Sequence, residues 1–437
     1  MAESPPRRRM ALHTKILIGL VIGAVAGVAS NLYAREAPAL EWIVDNVAQP
    51  VGQIFLRLLF MVVVPLVFAS VTMGVASLGD LRRIGRIGVK TLLLFLATTT
   101  IAVCIGLVLV NLIRPGEALD PAIRNALMAE YSSQAGEKVV LSEENRFGIN
   151  TIVNIVPRNP VAAAANGDML GLIFFSLMFG IALTLIARDV SAPVIRVLEG
   201  LNQAVMVIIG FAMRLAPLGV AGLIFSVTAK FGFEILQSLA LYVVTVLAAL
   251  AIHQFGVIGL IARAVVGIDY RSFYSRIRAL MITAFSTSSS NATLPTTIRT
   301  AEEGFGVPRE VAGFVLPLGA TMNMNGTAMF EGVTVLFLAQ VFAVNLDLPT
   351  QVIVIIMSVV TAIGVAGVPS GSIPLLVMVL GMVGVPGEGI ALILGVDRIL
   401  DMARTVPNVT GDLLTSMIVA RSEHLPMVAE ERESSVA

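Results

Sequence analysis

The sequence predicts an all-α membrane protein that crosses the bilayer several times. Of its 437 residues, 57% are hydrophobic and only 13% are charged, and the mean hydropathy is +0.90. A soluble globular domain is typically about 45–50% apolar and about 25% charged, so this composition excludes an ordinary soluble domain. Apolar runs of about 18 or more residues, which can span a bilayer as helices, recur along the whole chain.

Other features of the composition exclude several kinds of site. The formal net charge is zero, which gives no indication of a nucleic-acid partner. The one cysteine, Cys104, excludes an internal disulfide framework, and the three histidines show no metal-ligand spacing. The N-terminus, with Arg7 to Arg9 before an apolar stretch, resembles a signal peptide, but no polar domain follows it. We therefore interpret this stretch as a first membrane helix that is retained.

Hydropathy predicts the spanning helices of the first part of the chain, at about residues 16–32, 51–78, 91–113, 169–186, 194–228 and 235–266. The segment 114–167 is polar and rich in proline, so we predict that it lies outside the membrane. Basic residues fall on alternate connections: Arg7 to Arg9, Arg82 to Lys90, Arg188, and Arg263 to Arg278. Because cytoplasmic loops carry an excess of Lys and Arg, this pattern predicts that both termini are cytoplasmic.

The last third of the chain has a different pattern, in which apolar segments are interrupted by polar residues. Residues 273–298 carry the polar tip Ser286–Asn291, and residues 352–385 carry the tip Gly367–Ser372. The arms on either side are too short to span, which favours two re-entrant helical hairpins. The first hairpin is followed by residues 311–344, interrupted at Asn323–Thr327, and the second by residues 389–420.

This order of hairpin, broken helix, hairpin and helix indicates a duplicated unit. Corresponding interruptions in two halves of a membrane protein point to a transporter site near the bilayer midplane. The alternative is that the polar tips are loops inside kinked helices.

The last segment carries a stripe of polar side chains, in the sequence DRILDMARTVPNVTGD from Asp397 to Asp412. At about 100° per residue, one helix face about 100° wide collects Asp397, Asp401, Arg404, Thr405, Asn408 and Asp412, with Arg398 at its edge. Ionisable groups are costly at membrane depth and are usually functional there, so we expect this face to line a cavity or a ligand. The alternative is a buried ion-pair ladder that only holds helices together. However, Asn408 and Asp412 exceed what one arginine can pair with.

Four motifs, in this order, resemble the glutamate transporter family, the dicarboxylate/amino acid:cation symporters. They are TSSSNATLP (287–295), GATMNMNGT (319–327), AGVP (366–369) and the stripe at 397–412, and the resemblance covers nearly the whole chain. It implies eight transmembrane helices plus two re-entrant hairpins, arranged as inverted repeats, and a homotrimer that works as an elevator. Residues 1–90 and 168–232 would form the trimerisation scaffold and residues 91–113 and 233–421 the moving transport domain, with 422–437 a cytoplasmic tail.

The resemblance also implies a role for each residue of a substrate site. The hairpin tips, through Ser289, Ser290 and Val368, would hold the substrate's α-carboxylate, as helix N-termini hold anions. Thr327 and Arg404 would hold the side-chain carboxylate, for which the fork of an arginine is suited. Asp401 would accept the ammonium, with Thr405 and Asn408 alongside, and Asp397 would orient Arg404.

Three sodium sites are implied in the same way. The first would use Gly319, Asn323, Asn408 and Asp412. The second would use Thr321 with main-chain oxygens near Ala362, Ile363 and Val365. The third would use Phe95, Thr98, Thr99, Asn323 and Asn325. Sodium prefers oxygen ligands, and a broken helix exposes main-chain carbonyls that can serve it.

The chain departs from the family pattern at several of these positions. Asn325 stands where the third site normally has an Asp, so the only carboxylate of that site is gone and cation binding there should be weak. Neither Ser288 nor Met402 is the arginine that archaeal or animal members carry at those positions. Glu331 stands where archaeal members have Gln and proton-coupled animal members have Glu. We expect Glu331 to carry a proton, the alternative being a structural hydrogen-bonding role.

The sequence therefore predicts a symporter of the plasma (inner) membrane that takes up acidic amino acids with Na⁺, H⁺ or both. A C4-dicarboxylate carrier is the close alternative. However, the C4-dicarboxylate carriers of this family that the chain resembles have other residues at the positions of Asp401, Thr405 and Asp412, so the presence of these three residues favours an amino acid. Neutral amino acid carriers have no arginine at the position of Arg404, which disfavours a neutral substrate. A substrate-gated anion channel or sensor is an alternative of a different class. No nucleophile–base pair or metal cluster indicates an enzyme, and the only predicted partners are substrate, co-transported ions, lipid and two further copies of the chain.

Overall fold

The computed structural model describes residues 10, 12–34, 37–84, 86–134, 156–166, 168–365, 367 and 370–425. Within these ranges every regular element is helical, as predicted. The α-helices are α1 (Leu12–Ala34), α2 (Pro38–Ile43), α3 (Gln49–Phe60), α4 (Val63–Ile84), α5 (Arg86–Ile113), α6 (Pro121–Gln134), α7 (Pro160–Asn166), α8 (Met169–Leu185), α9 (Arg188–Phe231), α10 (Glu234–Ala251), α11 (Gly259–Ile261), α12 (Tyr270–Thr287), α13 (Ser290–Arg299), α14 (Arg309–Met322), α15 (Asn325–Val341), α16 (Leu348–Gly364), α17 (Ile373–Met382) and α18 (Leu394–Ser422).

Five helical stretches among the described residues are long and apolar enough to cross a membrane. They are Thr14–Ala34, Pro38–Ala76, Arg86–Ala118, Arg188–Phe231 and Glu234–Val266. The last continues α10 through the π-helical turns Ile252–Ile258 and Ala262–Val266. The predicted spans at 16–32, 91–113, 194–228 and 235–266 fall within these stretches. Of the polar segment 114–167, residues 135–155 and 167 lie outside the described residues, as do Arg7 to Arg9 and residues 426–437.

The predicted single helix at 51–78 is wrong in one respect, because the chain breaks between α3 and α4. Met61 and Val62 form a turn between the two helices. Pro65 explains the break: a proline has no N–H to donate, and its ring clashes with the carbonyl four residues earlier, here that of Met61.

Two groups of helices can be distinguished by their packing. Helices α1, α3 and α4 pack against the long helix α9, and α8 packs against α4. In the second group, α18 lies at the centre and contacts α5, α10, α12, α14 and α15. Every residue of α15 except Gln340 is buried. The polar stripe of α18 therefore lies inside the protein and not at its surface.

The interruptions of the last third fall close to where the sequence places them, but they are narrower. Only Ser288 and Ser289 separate α12 from α13, so the predicted tip Ser286–Asn291 is mostly helical. Ser288 adopts a left-handed backbone with φ of 51°, and the Ser289 side chain accepts a hydrogen bond from Ala292 N, which begins α13. Helix α16 ends at Gly364 and α17 begins at Ile373; of the residues between them, 366, 368 and 369 lie outside the described ranges.

The break between α14 and α15 is also displaced from its predicted position. Asn323 and Met324 are non-helical, whereas Asn325 and Gly326, the pair expected to break the helix, begin α15. The first N–H groups of a helix have no partner within it. Here Asn408 supplies one, because its Oδ1 accepts hydrogen bonds from Gly326 N at 2.7 Å and from Thr327 N at 3.4 Å.

Candidate functional site

The predicted polar stripe of α18 is buried along its whole length. None of Asp397, Asp401, Arg404, Thr405, Asn408 and Asp412 is more than 4% exposed. Buried charges need partners, because removing an unpaired charge from water is very costly. The partners of these side chains therefore show how the site is built.

Arg404 is held by both neighbouring carboxylates of its own helix. Its Nε and Nη2 donate to Asp401 Oδ1 at 3.1 and 2.7 Å, and its Nη1 donates to Asp397 Oδ1 at 3.1 Å. The guanidinium carbon lies 4.1 Å from the ring centroid of Phe330, a cation–π contact that adds to its stabilisation. Asp397 thus contacts Arg404 as expected, and Phe330 is a neighbour that sequence reasoning missed.

Asp401 accepts hydrogen bonds on both of its oxygens. In addition to Arg404 on Oδ1, its Oδ2 accepts from Ser370 N at 3.1 Å and from Arg398 Nη1 at 3.2 Å. Thr405 Oγ1 donates to the main-chain oxygen of Asp401 at 2.7 Å. Sequence reasoning placed Arg398 only at the edge of the stripe, although its spacing of three residues from Asp401 would have revealed this ion pair.

The broken helix and α18 meet backbone to backbone. A Cβ atom on Gly326 would lie 2.2 Å from the carbonyl oxygen of Arg404, so only glycine permits this approach. Asn408 Nδ2 also donates to Thr327 Oγ1 at 3.0 Å. Thr327, Asn408 and Arg404 are therefore neighbours.

The two tips also meet. Gly367 O, from the connection between α16 and α17, accepts hydrogen bonds from Ser289 Oγ at 2.5 Å and from Asn291 N at 3.2 Å. These residues are far apart in sequence, so one carbonyl joins the two interruptions. The tip contact lies beside the stripe, because Ser370 in the same connection bonds to Asp401.

A small polar cavity lies between the two tips, the start of α15 and α18. It is lined by Ser288, Ser290, Met324, Thr327, Val365, Gly367, Gly371, Ser372, Asp401, Arg404, Thr405 and Asn408. The predicted residues Ser290, Thr327, Asp401, Arg404, Thr405 and Asn408 are thus brought together. Ser289 holds the tip contact instead, and Val368 lies outside the described residues.

Some lining residues were not predicted to contact substrate. The buried hydroxyls of Ser288 and Ser372 have no hydrogen-bond partner among the described residues. Because buried polar groups normally find a partner, these two hydroxyls are suited to a polar ligand in the cavity. The polar composition of the two tips was the available signal.

The residues predicted for the first sodium site meet only in part. Asn323 Nδ2 donates to Asp412 Oδ1 at 2.8 Å, and a Cβ on Gly319 would lie 2.4 Å from the same oxygen. The side-chain oxygen of Asn408 instead accepts from the start of α15. Asn323 Oδ1 is buried and has no partner among the described residues.

The second predicted set lies on two neighbouring helices. Thr321 is exposed near the end of α14 and donates to Leu318 O at 3.0 Å, whereas Ala362 and Val365 are buried at the end of α16. Helices α14 and α16 pack against each other. The carbonyl of Ile363 faces α4, since a Cβ on Gly74 would lie 2.9 Å from it.

The third predicted set is brought together around Asn325. Its Oδ1 accepts from Thr99 Oγ1 at 2.7 Å and from Thr98 Oγ1 at 3.4 Å, and Thr98 also donates to Phe95 O at 3.2 Å. Asn325 Nδ2 is buried without a partner among the described residues. Gly411 of α18 lies against this amide, because a Cβ there would be 2.5 Å from Asn325 Nδ2.

Glu331 lies six residues after Asn325 in α15 and is completely buried. Its Oε2 accepts a hydrogen bond from Thr361 Oγ1 of α16 at 2.7 Å, and its Oε1 has no partner among the described residues. An ionised carboxylate with an unpaired oxygen is costly in a buried place, and a proton removes that charge. Among the described residues, no group of three or more His, Cys, Asp or Glu side chains could hold a metal ion.

Comparisons with known proteins show which family the chain belongs to. The family model described as the sodium:dicarboxylate symporter family matches residues 12–422. The proton/glutamate-aspartate symporter of Escherichia coli K12 is 35% identical over 417 residues, which cover 95% of this chain and 94% of that protein. The proton/sodium-glutamate symport protein of Bacillus caldotenax is 35% identical over 417 residues, 95% of each chain. The C4-dicarboxylate transport protein of Deinococcus radiodurans is 34% identical over 423 residues, 96% of this chain and 90% of that protein.

The match of the family model extends over nearly the whole chain, and these relatives share about a third of its residues. Members of the family are transporters embedded in membranes, which agrees with the long apolar helices described above. The chain is an integral membrane protein that belongs to the sodium:dicarboxylate symporter family.

Proposed function

We propose that this protein is a secondary active symporter that takes up acidic amino acids, coupled to Na⁺, H⁺ or both. The observation that carries the proposal is the buried pair Arg404 and Asp401 on one side of a polar cavity. An acidic amino acid needs a cation for its side-chain carboxylate and an anion for its ammonium. The names of several relatives, proton or sodium-glutamate symporters, support the same substrate class.

The remaining lining groups complete a site for the rest of the substrate. Arg404, with Thr327, takes the side-chain carboxylate, and Asp397 orients the guanidinium. The α-carboxylate lies against Ser290 and the buried hydroxyls of Ser288 and Ser372, near the N-terminus of α13. Asp401 takes the ammonium, with Thr405 and Asn408 beside it. Ser289 and residue 368, one at each tip, also help to hold the α-carboxylate.

A C4-dicarboxylate carrier is the second candidate, and relatives with that name support it. Its substrates have no ammonium, so they make no use of a carboxylate in the cavity. Asp401 therefore favours the amino acid. A substrate-gated anion channel is the candidate of a different class, and the buried Arg404 is its only support.

For the architecture, we propose eight transmembrane helices and two re-entrant hairpins, α12–α13 and α16–α17, with both termini in the cytoplasm. Residues 1–90 and 168–232 form a scaffold that assembles into a homotrimer, and residues 91–113 and 233–421 form a transport domain that moves as an elevator. The two packing groups, one around α9 and one around α18, support this division.

For the ions, we propose that Na⁺ binds at Gly319, Asn323, Asn408 and Asp412, and at Thr321 with residues 362, 363 and 365. The set around Asn325 has no carboxylate, so it binds Na⁺ weakly. Glu331 carries a proton and supplies part of the missing charge. An anionic substrate that enters against the membrane potential needs such compensation, since each charge is worth about 2.3 kcal/mol per 100 mV.

The experiment that tests the proposal is uptake of radiolabelled aspartate, glutamate and succinate into proteoliposomes. Sodium and proton gradients are imposed separately, so that each driving ion is measured alone. We expect saturable uptake of the two amino acids that depends on at least one gradient. Current without coupled substrate uptake would favour the channel instead.

Two variants test the substrate assignment in the same assay. Arg404→Cys should abolish uptake of acidic amino acids, because it removes the guanidinium that bonds to both Asp397 and Asp401 and is proposed to hold the substrate's carboxylate. Asp401→Asn should weaken amino acid binding by roughly tenfold or more, since a charged hydrogen bond is worth roughly 1.5–3 kcal/mol. Normal aspartate uptake by Arg404→Cys would show that this residue has been assigned wrongly.

A further inference from the structure

The inference concerns Arg398, which the site described above does not use. Its Nη1 donates to Asp401 Oδ2 at 3.2 Å, and its side chain is 16% exposed. Its Nε is buried without a partner among the described residues. A guanidinium therefore occupies one side of the carboxylate that is proposed to bind the substrate's ammonium.

The carboxylate of Asp401 has no free position for a further donor. An ionised carboxylate offers about four lone-pair sites. Oδ1 accepts from Nε and Nη2 of Arg404, and Oδ2 accepts from Ser370 N and from Arg398 Nη1. An ammonium can reach Asp401 in this arrangement only if one of these donors leaves.

Arg398 is the donor whose departure costs least. Arg404 makes two hydrogen bonds to Asp401 and a third to Asp397, so its removal breaks several charged contacts. Ser370 N belongs to the backbone of the tip connection. Arg398 makes a single contact with Asp401 through a long side chain that already reaches the protein surface. When it leaves, Asp401 keeps its bonds to Arg404 and to Ser370 N, so the charge of Asp401 is not left unpaired.

We propose that Arg398 stands in for the substrate's ammonium on Asp401, so that the carrier accepts both acidic amino acids and C4-dicarboxylates. An acidic amino acid displaces Arg398 with its own ammonium. A C4-dicarboxylate brings no cation, and Arg398 stays on Asp401 and neutralises it. The inference rests on the proposed function, because it takes the cavity beside Asp401 as the substrate site.

Charge counting supports this exchange. Arg398 and Arg404 balance Asp397 and Asp401, so these four groups sum to zero. A dicarboxylate bound without Arg398 would face the uncompensated charge of Asp401 at close range. With Arg398 in place, that repulsion is removed. For an amino acid, Arg398 is instead a competitor for the same oxygen.

The test is equilibrium binding of L-aspartate and of succinate to the purified full-length protein at fixed sodium concentration and pH. The variant is Arg398→Gln, and the control is Arg309→Gln, which removes an arginine whose side chain is 90% exposed at the start of α14. We expect Arg398→Gln to tighten L-aspartate binding and to weaken succinate binding, each by about tenfold, equivalent to about 1.4 kcal/mol. The control should change neither.

The two affinities must move in opposite directions for the inference to hold. The loss of a cation with only a general electrostatic role would weaken both ligands, and a purely structural role would also change both alike. Either result overturns the inference, as does a parent protein that binds L-aspartate but not succinate. Arg398→Lys keeps the charge and should shift the ratio of the two affinities in the same direction by a smaller factor, which provides a measurement if Arg398→Gln does not fold. A parent protein that binds neither ligand would overturn the proposed function itself.

Discussion

Two buried clusters of oxygen atoms flank the break between α14 and α15, and they differ in charge. On one side Asp412 contacts Asn323 and the backbone at Gly319. On the other side Asn325 accepts hydrogen bonds from two threonine hydroxyls of α5. Both clusters lie against α18, the first together with α14 and the break and the second together with α15 and α5, and of the two only the first contains a carboxylate.

The neutral cluster brings together residues of the third predicted sodium set without a carboxylate. Thr99 donates its hydroxyl hydrogen to Asn325 Oδ1, so the cluster satisfies part of its own hydrogen bonding. The amide nitrogen of Asn325 remains without a partner among the described residues. The cluster therefore holds buried oxygen atoms together but has no negative charge to attract a cation. The difference between the clusters predicts which of them binds sodium.

The largest expected effect comes from removing the charge of the first cluster. Asp412→Asn should weaken sodium binding by at least about tenfold, because a charge-assisted contact is worth about 1.5–3 kcal/mol. Sodium-driven aspartate uptake should then nearly disappear. The measurement is the sodium concentration that gives half-maximal substrate binding. Asn325→Ala serves as the matched control in the neutral cluster and should leave that concentration nearly unchanged. An equal effect of the two variants would contradict the comparison.

A second prediction concerns Glu331, the carboxylate proposed to compensate for the neutral cluster. In proteoliposomes, an acidic exterior without sodium should drive partial uptake by the parent protein. Glu331→Gln should remove this proton-driven component and leave substrate exchange intact. Glutamine can keep a hydrogen bond to Thr361, but it cannot take up and release a proton. If uptake by the parent depended steeply on sodium concentration and did not respond to a pH gradient, Glu331 would have a structural role instead.

The third prediction concerns a variant that gives the neutral cluster the carboxylate it lacks. Asn325→Asp places a carboxylate beside the hydroxyls of Thr98 and Thr99, so we expect sodium affinity to rise by about tenfold, equivalent to about 1.4 kcal/mol. Substrate binding should also depend more steeply on sodium concentration. In the absence of sodium the variant should melt at a lower temperature than the parent, because it buries an unpaired charge. The double variant Asn325→Asp with Thr99→Val tests whether the Thr99 hydroxyl takes part in sodium binding. If substrate binding by Asn325→Asp depended on sodium as it does in the parent, that result would count against the assignment of this cluster.

The smallest expected effect lies where α18 ends beside the start of α5. Glu423 pairs with Arg86 Nη2 at 2.5 Å and with Lys90 Nζ at 2.6 Å. Hydrogen bonds from these two cations lower the pKa of Glu423 from its ordinary value of 4.5 to about 2. Because the folded state favours the ionised form, the contribution to stability is fully present above pH 4.5 and is lost as the pH falls towards 2.

Glu423→Gln should therefore lower the melting temperature slightly near neutral pH, and the difference from the parent should shrink below pH 4.5. Salt should reduce the difference as well, since the Arg86 side chain is 74% exposed and exposed ion pairs are screened. The measurement is thermal unfolding in detergent across pH and salt. A difference that stays constant from neutral to acidic pH would show that the ion pairs do not stabilise this junction.

The sequence predicted the elements of the site better than their contacts. The polar stripe of α18 followed from helical periodicity alone, and all of its members are buried as expected. The contact between the tips could not be predicted, because Ser289 and Gly367 are distant in sequence and meet through a main-chain carbonyl. The displaced break had a similar cause: Asn408, on another helix, stabilises the first turn of α15 and allows Asn325 and Gly326 to be helical.

The close approach of Gly326 to the carbonyl of Arg404 limits how such a carrier can be changed by directed evolution. Any other residue at position 326 would place a Cβ atom 2.2 Å from that oxygen, and separation of the two helices would be needed to fit it. Libraries that vary position 326 should therefore yield misfolded protein rather than altered selectivity. Productive diversity lies in side chains such as Ser372, which lines the cavity, and Arg398, which contacts Asp401 beside it.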